Sequence, residues 1–291
     1  MSNRRELLQM ARSGDAESQF ALACDYDFEP PKRMDLAIHW YHQAAEQGHA
    51  GAQNALGEYY SDGGHSVARN RRTGVDWFRL AAENGDSDAQ VSMGYALFYG
   101  EGIKRDRAEA LVWYRRSARQ GNDHAMCNIG RMYLYGDVVA QDSKQAIRWF
   151  KKAAAAGNAD ALHFLGRIYG GREKHAEDSD KAVFWLTLAA EEGDDESQCS
   201  LGVHYINGDG VECNPVTGAM WYRRAAQQEN DWACFLLGLC YRDGLGVRRN
   251  RRLARHWLQK AAAKNVKQAT HALNALVQTT LKSRTASRWA R

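Results

Sequence analysis

"DSKQAIRWFKKAAAAG", Asp142 to Gly157, sets the aromatic pair Trp149 and Phe150 midway between an aspartate and a glycine. Those two residues suit the opposite ends of one helix. A short acidic side chain accepts a hydrogen bond from a free amide of the first turn, and glycine takes the left-handed conformation that closes the last. The outline recurs as "NRRTGVDWFRLAAENG" (Asn70 to Gly85), "DRAEALVWYRRSARQG" (Asp106 to Gly121), "DSDKAVFWLTLAAEEG" (Asp178 to Gly193), "NPVTGAMWYRRAAQQE" (Asn214 to Glu229) and "NRRLARHWLQKAAAKN" (Asn250 to Asn265). Trp77, Trp113, Trp149, Trp185, Trp221 and Trp257 stand 36 residues apart, with Trp40 a further 37 back. A fixed period of this length marks a repeat array, in which each copy contacts mainly its neighbours.

Each repeat carries a second landmark upstream: "ALGEYY" at Ala55, "SMGYAL" at Ser92, "NIGRMY" at Asn128, "FLGRIY" at Phe164, "SLGVHY" at Ser200 and "LLGLCY" at Leu236. Ala125, Ile129 and Tyr133 fall on one helical face beside Gly130. Glycine costs a helix about 1 kcal/mol, so its return at Gly57, Gly94, Gly130, Gly166, Gly202 and Gly238 implies that a second helix packs close there. Glycine-rich loops such as "YGEGIKRD" and "NGDGVECN" join this first helix to the second, whose N-caps are Asn70, Asp106, Asp142, Asp178, Asn214 and Asn250. The second helix stops at Gly48, Gly85, Gly121, Gly157 and Gly193, and at Asn265 in the last repeat. In the sixth, Glu229 stands at the stop, and Asn230 is expected to take the left-handed role instead.

In-phase landmarks of this kind resemble the Sel-one-like repeat, a relative of the tetratricopeptide repeat. The resemblance covers roughly residues 14–265 as seven repeats, and it implies an all-α, right-handed α-solenoid of helix-turn-helix units. Residues 1–13 read as an N-terminal cap, 266–283 as a capping helix with Ala272, Leu273, Leu276 and Val277 on its apolar side, and 284–291 as a basic flexible tail. The first repeat departs from the pattern, with Arg33 at the N-cap, Ala23 for the glycine, and Pro30–Pro31. The fifth replaces its loop glycines with "GREKHAED".

Among 291 residues, 44% are hydrophobic, 25% are charged and only three are proline, a balance that suits a water-soluble helical chain. No apolar run reaches the length of a signal-peptide core, about 7 to 15 residues, or of a membrane span, which points to the cytoplasm. Six scattered cysteines, Cys24, Cys127, Cys199, Cys213, Cys234 and Cys240, fit neither a disulfide framework nor a zinc site and are expected as thiols. His39 and His42 share a helix face, but no metalloprotease motif, nucleophile elbow or phosphate loop is present. The expectation is a non-enzymatic adaptor without a cofactor.

The seven in-phase tryptophans are expected in the core, whereas Trp232, outside that phase, is expected to be exposed and available to a partner. By analogy with related helical-repeat proteins, a peptide or protein would lie on a concave surface lined by the first helix of each repeat. The implied groove residues are Asp88, Val91, Tyr95 and Phe98, then His124, Cys127, Arg131 and Leu134, then Asp160, His163 and Arg167. Arg131 and Arg167, equivalent in adjacent repeats, are expected to hold a carboxylate. The alternative lies at the C-terminal end. Residues 241–291 carry 13 Lys and Arg against Asp243 alone, a net +12, while the first 240 carry −8. Arg248, Arg249, Arg251, Arg252 and Arg255 would then dock an acidic surface. Nucleic acid is the weaker choice among such partners, since no groove-reading helix or stacking aromatic accompanies the charge.

Overall fold

A computed structural model describes residues 2–29, 32–63, 67–171 and 178–276. The chain is an all-α solenoid of seven repeats, and it divides into two compact units, Met1–Gly157 and Asn158–Arg291. The first unit holds α1 (Ser2–Arg12), α2 (Ala16–Phe28), α3 (Met34–Glu46), α4 (Ala50–Asp62), α5 (Arg71–Glu83), α6 (Ser87–Tyr99), α7 (Arg107–Arg119), α8 (Asp123–Tyr135) and α9 (Ser143–Ala155). The second holds α10 (Ala159–Tyr169), α11 (Ser179–Glu191), α12 (Asp195–Asn207), α13 (Pro215–Gln227), α14 (Asp231–Asp243) and α15 (Arg251–Ala263). Residues 267–276 form a further helix. Val277 and the basic tail, with Trp289, lie outside the described residues. From α2 onward, even-numbered helices open each repeat and odd-numbered ones close it.

The expected caps are in place. Asn70 accepts from the Thr73 amide at 3.2 Å, Asp106 from Glu109 at 2.9 Å and Asn250 from Leu253 at 3.1 Å. Gly85, Gly121, Gly157 and Gly193 all carry positive φ after their helices, as does Asn265. At the sixth repeat the expectation fails: Glu229 itself is left-handed, φ 66°. Asn230 cannot take that conformation because it serves as the N-cap of α14, accepting from the Ala233 amide at 2.8 Å. The strained turn is therefore forced onto glutamate, and Lys264 Nζ braces it by donating to the Glu229 carbonyl at 2.8 Å.

The tryptophans also sit differently from the expectation. Trp113 and Trp221 are buried, but Trp40, Trp77, Trp149, Trp185 and Trp257 are only half-buried. In every repeat the residue after the tryptophan is the more deeply buried one: Tyr41, Phe78, Tyr114, Phe150, Leu186, Tyr222 and Leu258. One residue is a 100° turn on a helix, enough to move a side chain from the flank to the seam. That seam explains the recurring glycine. A Cβ on Gly130 would stand 2.8 Å from the Phe150 ring, and on Gly94 2.5 Å from Tyr114. The bare backbone of one helix is the socket for the aromatic of the next. The half-buried tryptophans can carry cations on their faces instead, Lys152 over Trp149 at 4.8 Å and Lys260 over Trp257 at 5.2 Å.

A ladder of buried glutamines ties successive repeats. Gln53, Gln90 and Gln198 donate to the carbonyls of Ala45, Ala82 and Ala190 at 3.0, 3.1 and 3.0 Å, each at the end of the preceding helix. Gln120 then donates both to Gln90 Oε1 and to the Gly85 carbonyl at 3.0 Å, and Gln228 repeats the pattern with Gln198 and Gly193. The bonds to Ala45, Ala82 and Ala190 satisfy buried helix-end carbonyls.

Candidate interaction groove

Within each unit, clefts open between consecutive even-numbered helices, floored by the residue after each tryptophan. The cleft between α6 and α8 is lined by Phe98, Tyr99, Tyr114, Asn128, Arg131 and Tyr135. That between α4 and α6 contains Glu58, Asp62, Val91 and Tyr95, with Val75 and Phe78 beneath. In the second unit, Arg167, Ser200, Val203 and His204 line the cleft between α10 and α12.

The structure places several of the expected groove residues at the surface or in a cleft. Tyr95 is 47% exposed, Phe98 and Arg131 line the α6/α8 cleft, and His124, Asp88 and Asp160 are exposed. Arg131 and Arg167 belong to different compact units, and each is placed in its own cleft. Trp232 is 40% exposed and leans on Phe235, their centroids 5.2 Å apart.

Other expectations are corrected. Leu134, 1% exposed, and Cys127 are buried residues that do not line the cleft, because they lie round α8 from it. His163, 8% exposed, is a structural link: its Nδ1 lies 3.0 Å from both Asp194 Oδ2 and Ser197 Oγ, and its Nε2 3.3 Å from Glu196. Asp194 is also the N-cap of α12. Burial raises its pKa, yet the hydrogen bonds from His163 and Ser197 outweigh that and hold the carboxyl below its ordinary value.

Tyr99 and Tyr135 are the residues that the sequence reasoning missed. They are 45% and 47% exposed, each the last helical residue before a left-handed glycine, Gly100 and Gly136. The recurring tyrosine-glycine step was the available signal. Tyr95 and Tyr99 pack with centroids 4.5 Å apart, and Arg107 covers Phe98 at 4.6 Å while pairing with Asp137 at 2.7 Å. The tyrosines thus stand on a braced base.

At the C-terminal end Arg248, Arg249, Arg251, Arg252 and Arg255 are all exposed, and Arg249 Nε donates to the Arg242 carbonyl at 2.9 Å. The thiols form no disulfide: Cys213 is exposed, Cys24 half-buried and the others buried, with burial pushing Cys240 up to about 11.

Stacked hairpins, each with a large buried side chain after its tryptophan, define a helical-repeat solenoid whose variable clefts face solvent. The chain belongs to the Sel1 repeat family, whose model matches residues 16–49, 50–86, 87–122, 123–158, 159–194, 195–230 and 233–266. It is similar to c5321, a protective antigen of uropathogenic Escherichia coli displaying an SLR fold, at 30% identity and a TM-score of 0.84. That match covers 94% of this chain and 59% of c5321, so the chain spans little more than half of that relative. A Sel1 repeat protein from Oxalobacter formigenes is similar at 28% identity and a TM-score of 0.74, over 85% of this chain and 96% of that one. No curated protein matches. Sel1 repeat proteins generally mediate protein–protein interactions, and the fold is typically a non-enzymatic scaffold. Among the described residues no helix is long and apolar enough to cross a membrane.

Proposed function

We propose that this protein is a non-enzymatic adaptor that binds a peptide or protein partner on the face of its even-numbered helices, in signalling, regulation or host interaction. Its free cysteines favour a reducing compartment, the cytoplasm. The observation that carries the reading is the row of exposed tyrosines, Tyr95, Tyr99 and Tyr135, on adjacent helices of one unit. Tyrosine brings a large contact area with little conformational freedom to lose, and aromatic residues dominate the energetics of protein interfaces. Phe98, His124 and Arg131 extend that surface in the first unit, Arg167 and Trp232 are the candidate contacts of the second, and His163 and Leu134 leave the reading. Affinity purification with mass spectrometry supplies the partner. Tyr99→Ala with Tyr135→Ala is then expected to weaken binding at least tenfold without altering the helical circular dichroism. Unchanged affinity removes this face from the reading.

A second reading places an acidic partner on the basic end. Arg71 and Arg107, the first residues of their helices, pair with Glu101 at 3.4 Å and Asp137 at 2.7 Å in the following repeat. Arg251 occupies the same register, and among the described residues no carboxylate pairs with it or with Arg248, Arg249, Arg252 or Arg255. A steep loss of affinity with salt, abolished when these arginines are neutralised, would favour this end over the tyrosine clefts.

A further inference from the structure

The cleft between α4 and α6 differs in charge from its neighbours. Glu58 and Asp62 lie one turn apart on α4, so both carboxylates project from a single helix face. Like charges at this spacing repel, and among the described residues neither has a cationic partner; Arg71, which lines the same cleft, is engaged there by Glu101 at 3.4 Å, which leaves the cleft acidic. Asn54 Nδ2 donates to Glu58 Oε1 at 3.2 Å and fixes that carboxylate in place. Glu58 reaches solvent, yet the cleft walls crowd it: lost hydration first, then the charges of Asp62, Asp88 and Asp86, raise its pKa.

The floor beneath these carboxylates is apolar. Val75 and Phe78 are buried there, Phe78 lying on the bare backbone of Gly57, and Val91 forms the far side. The exposed ring of Tyr95 stands at the edge. An apolar floor, an aromatic edge and two unpaired carboxylates complement a side chain with a long hydrocarbon stem and a cationic planar head. Arginine meets that description better than lysine, because its fork engages carboxylates bidentately and its plane stacks on aromatic rings.

We propose that the α4/α6 cleft is a specificity pocket for one arginine side chain of a bound peptide, with the stem on Val75, Phe78 and Val91 and the guanidinium held by Glu58 and Asp62 beside Tyr95. The proposal rests on the reading of this face as the interaction surface and names a residue of the partner. It gives adjacent clefts opposite preferences: the α4/α6 cleft reads a cation, and the tyrosine-lined α6/α8 cleft, with Arg131, does not.

The test uses the full chain, labelled with ¹⁵N, titrated with acetyl-Leu-Arg-Leu amide, its citrulline counterpart and acetyl-Leu-Glu-Leu amide. Citrulline keeps the shape of arginine and removes the charge. The arginine peptide is expected to shift the amides of Glu58, Ser61, Ser92 and Tyr95, with the citrulline peptide at least tenfold weaker. In Glu58→Gln with Asp62→Asn the arginine peptide is expected to lose at least tenfold, and Glu58→Gln alone to show a smaller loss, both with unchanged circular dichroism. Equal binding of the citrulline peptide, shifts confined to other surfaces, no shift at all, or undiminished binding by the double variant each overturns the proposal. If that happens while the Tyr99 and Tyr135 substitutions still abolish partner binding, the arginine pocket falls and the interaction face stands.

Discussion

Glu229 adopts a conformation in which glycine is at home, because its neighbour Asn230 is committed to capping α14. A left-handed non-glycine residue costs roughly 1–2 kcal/mol. The brace from Lys264 is exposed, and its carbonyl contact survives substitution. Glu229→Gly is therefore expected to stabilise the second unit by about 1 kcal/mol in urea unfolding, part of the gain being offset by glycine's extra freedom when unfolded. A lower midpoint would show that the ion pair outweighs the backbone. Asp194 gives a pH signature. Its folded pKa lies below the ordinary 3.8, so its contribution is present above that value and is lost as pH falls through the folded one. Asp194→Asn keeps a capping side chain but removes the charge facing His163. Its expected cost is about 1 kcal/mol at pH 7, with the unfolding curves of variant and parent converging only as the pH falls below the ordinary carboxylate range and through the folded value. A difference that does not shrink at all as the pH is lowered would assign the effect to packing.

At the scale of the helix, the division of labour between neighbouring aromatics is testable. Phe150 fills the socket at Gly130 and is fully buried, whereas Trp149 rides the flank under Lys152. Phe150→Ala is expected to cost about 3–5 kcal/mol through lost burial and a cavity, and Trp149→Ala roughly half of that, since its ring is already partly wet. Equal losses in thermal unfolding would make the tryptophan as central as its conspicuous spacing suggests. That spacing made the repeat, its helices and its caps legible from sequence, because periodicity and N-cap chemistry are local. Which of two adjacent aromatics turns inward was not legible, since both fit a helix and the choice depends on the crossing of α8 and α9. The groove was half legible for the same reason. Tyr95 and Phe98 followed from helical geometry, but Leu134 and Cys127 differ from the cleft positions by the small rotation that packing decides. His163 was misread because its partners, Asp194 and Ser197, lie at the start of α12, remote from it in sequence.

Over the whole chain, the last core depends on residues beyond the seventh repeat. Val266, Ala269, Ala272 and Leu276 are buried in one cluster with Leu258 and Ala261. Ending the chain at Asn265 would uncover that cluster, as removal of a terminal cap does in repeat arrays. The expected result is aggregation or reduced helicity per residue, measured by light scattering and circular dichroism. A monomer as helical as the full chain would argue that the seventh repeat closes itself. The glutamine ladder carries a different implication. In the third repeat each rung joins a glutamine of that repeat to backbone carbonyls of the one before: Gln90 and Gln120 take Ala82 and Gly85 as acceptors, and the repeat's own Ala118 and Gly121 stand in the same register. A tandem genetic duplication of codons 87–122 would therefore supply its own junction ready-made. The array is able to lengthen by copying, acquiring a new cleft whose surface residues are then free to diverge.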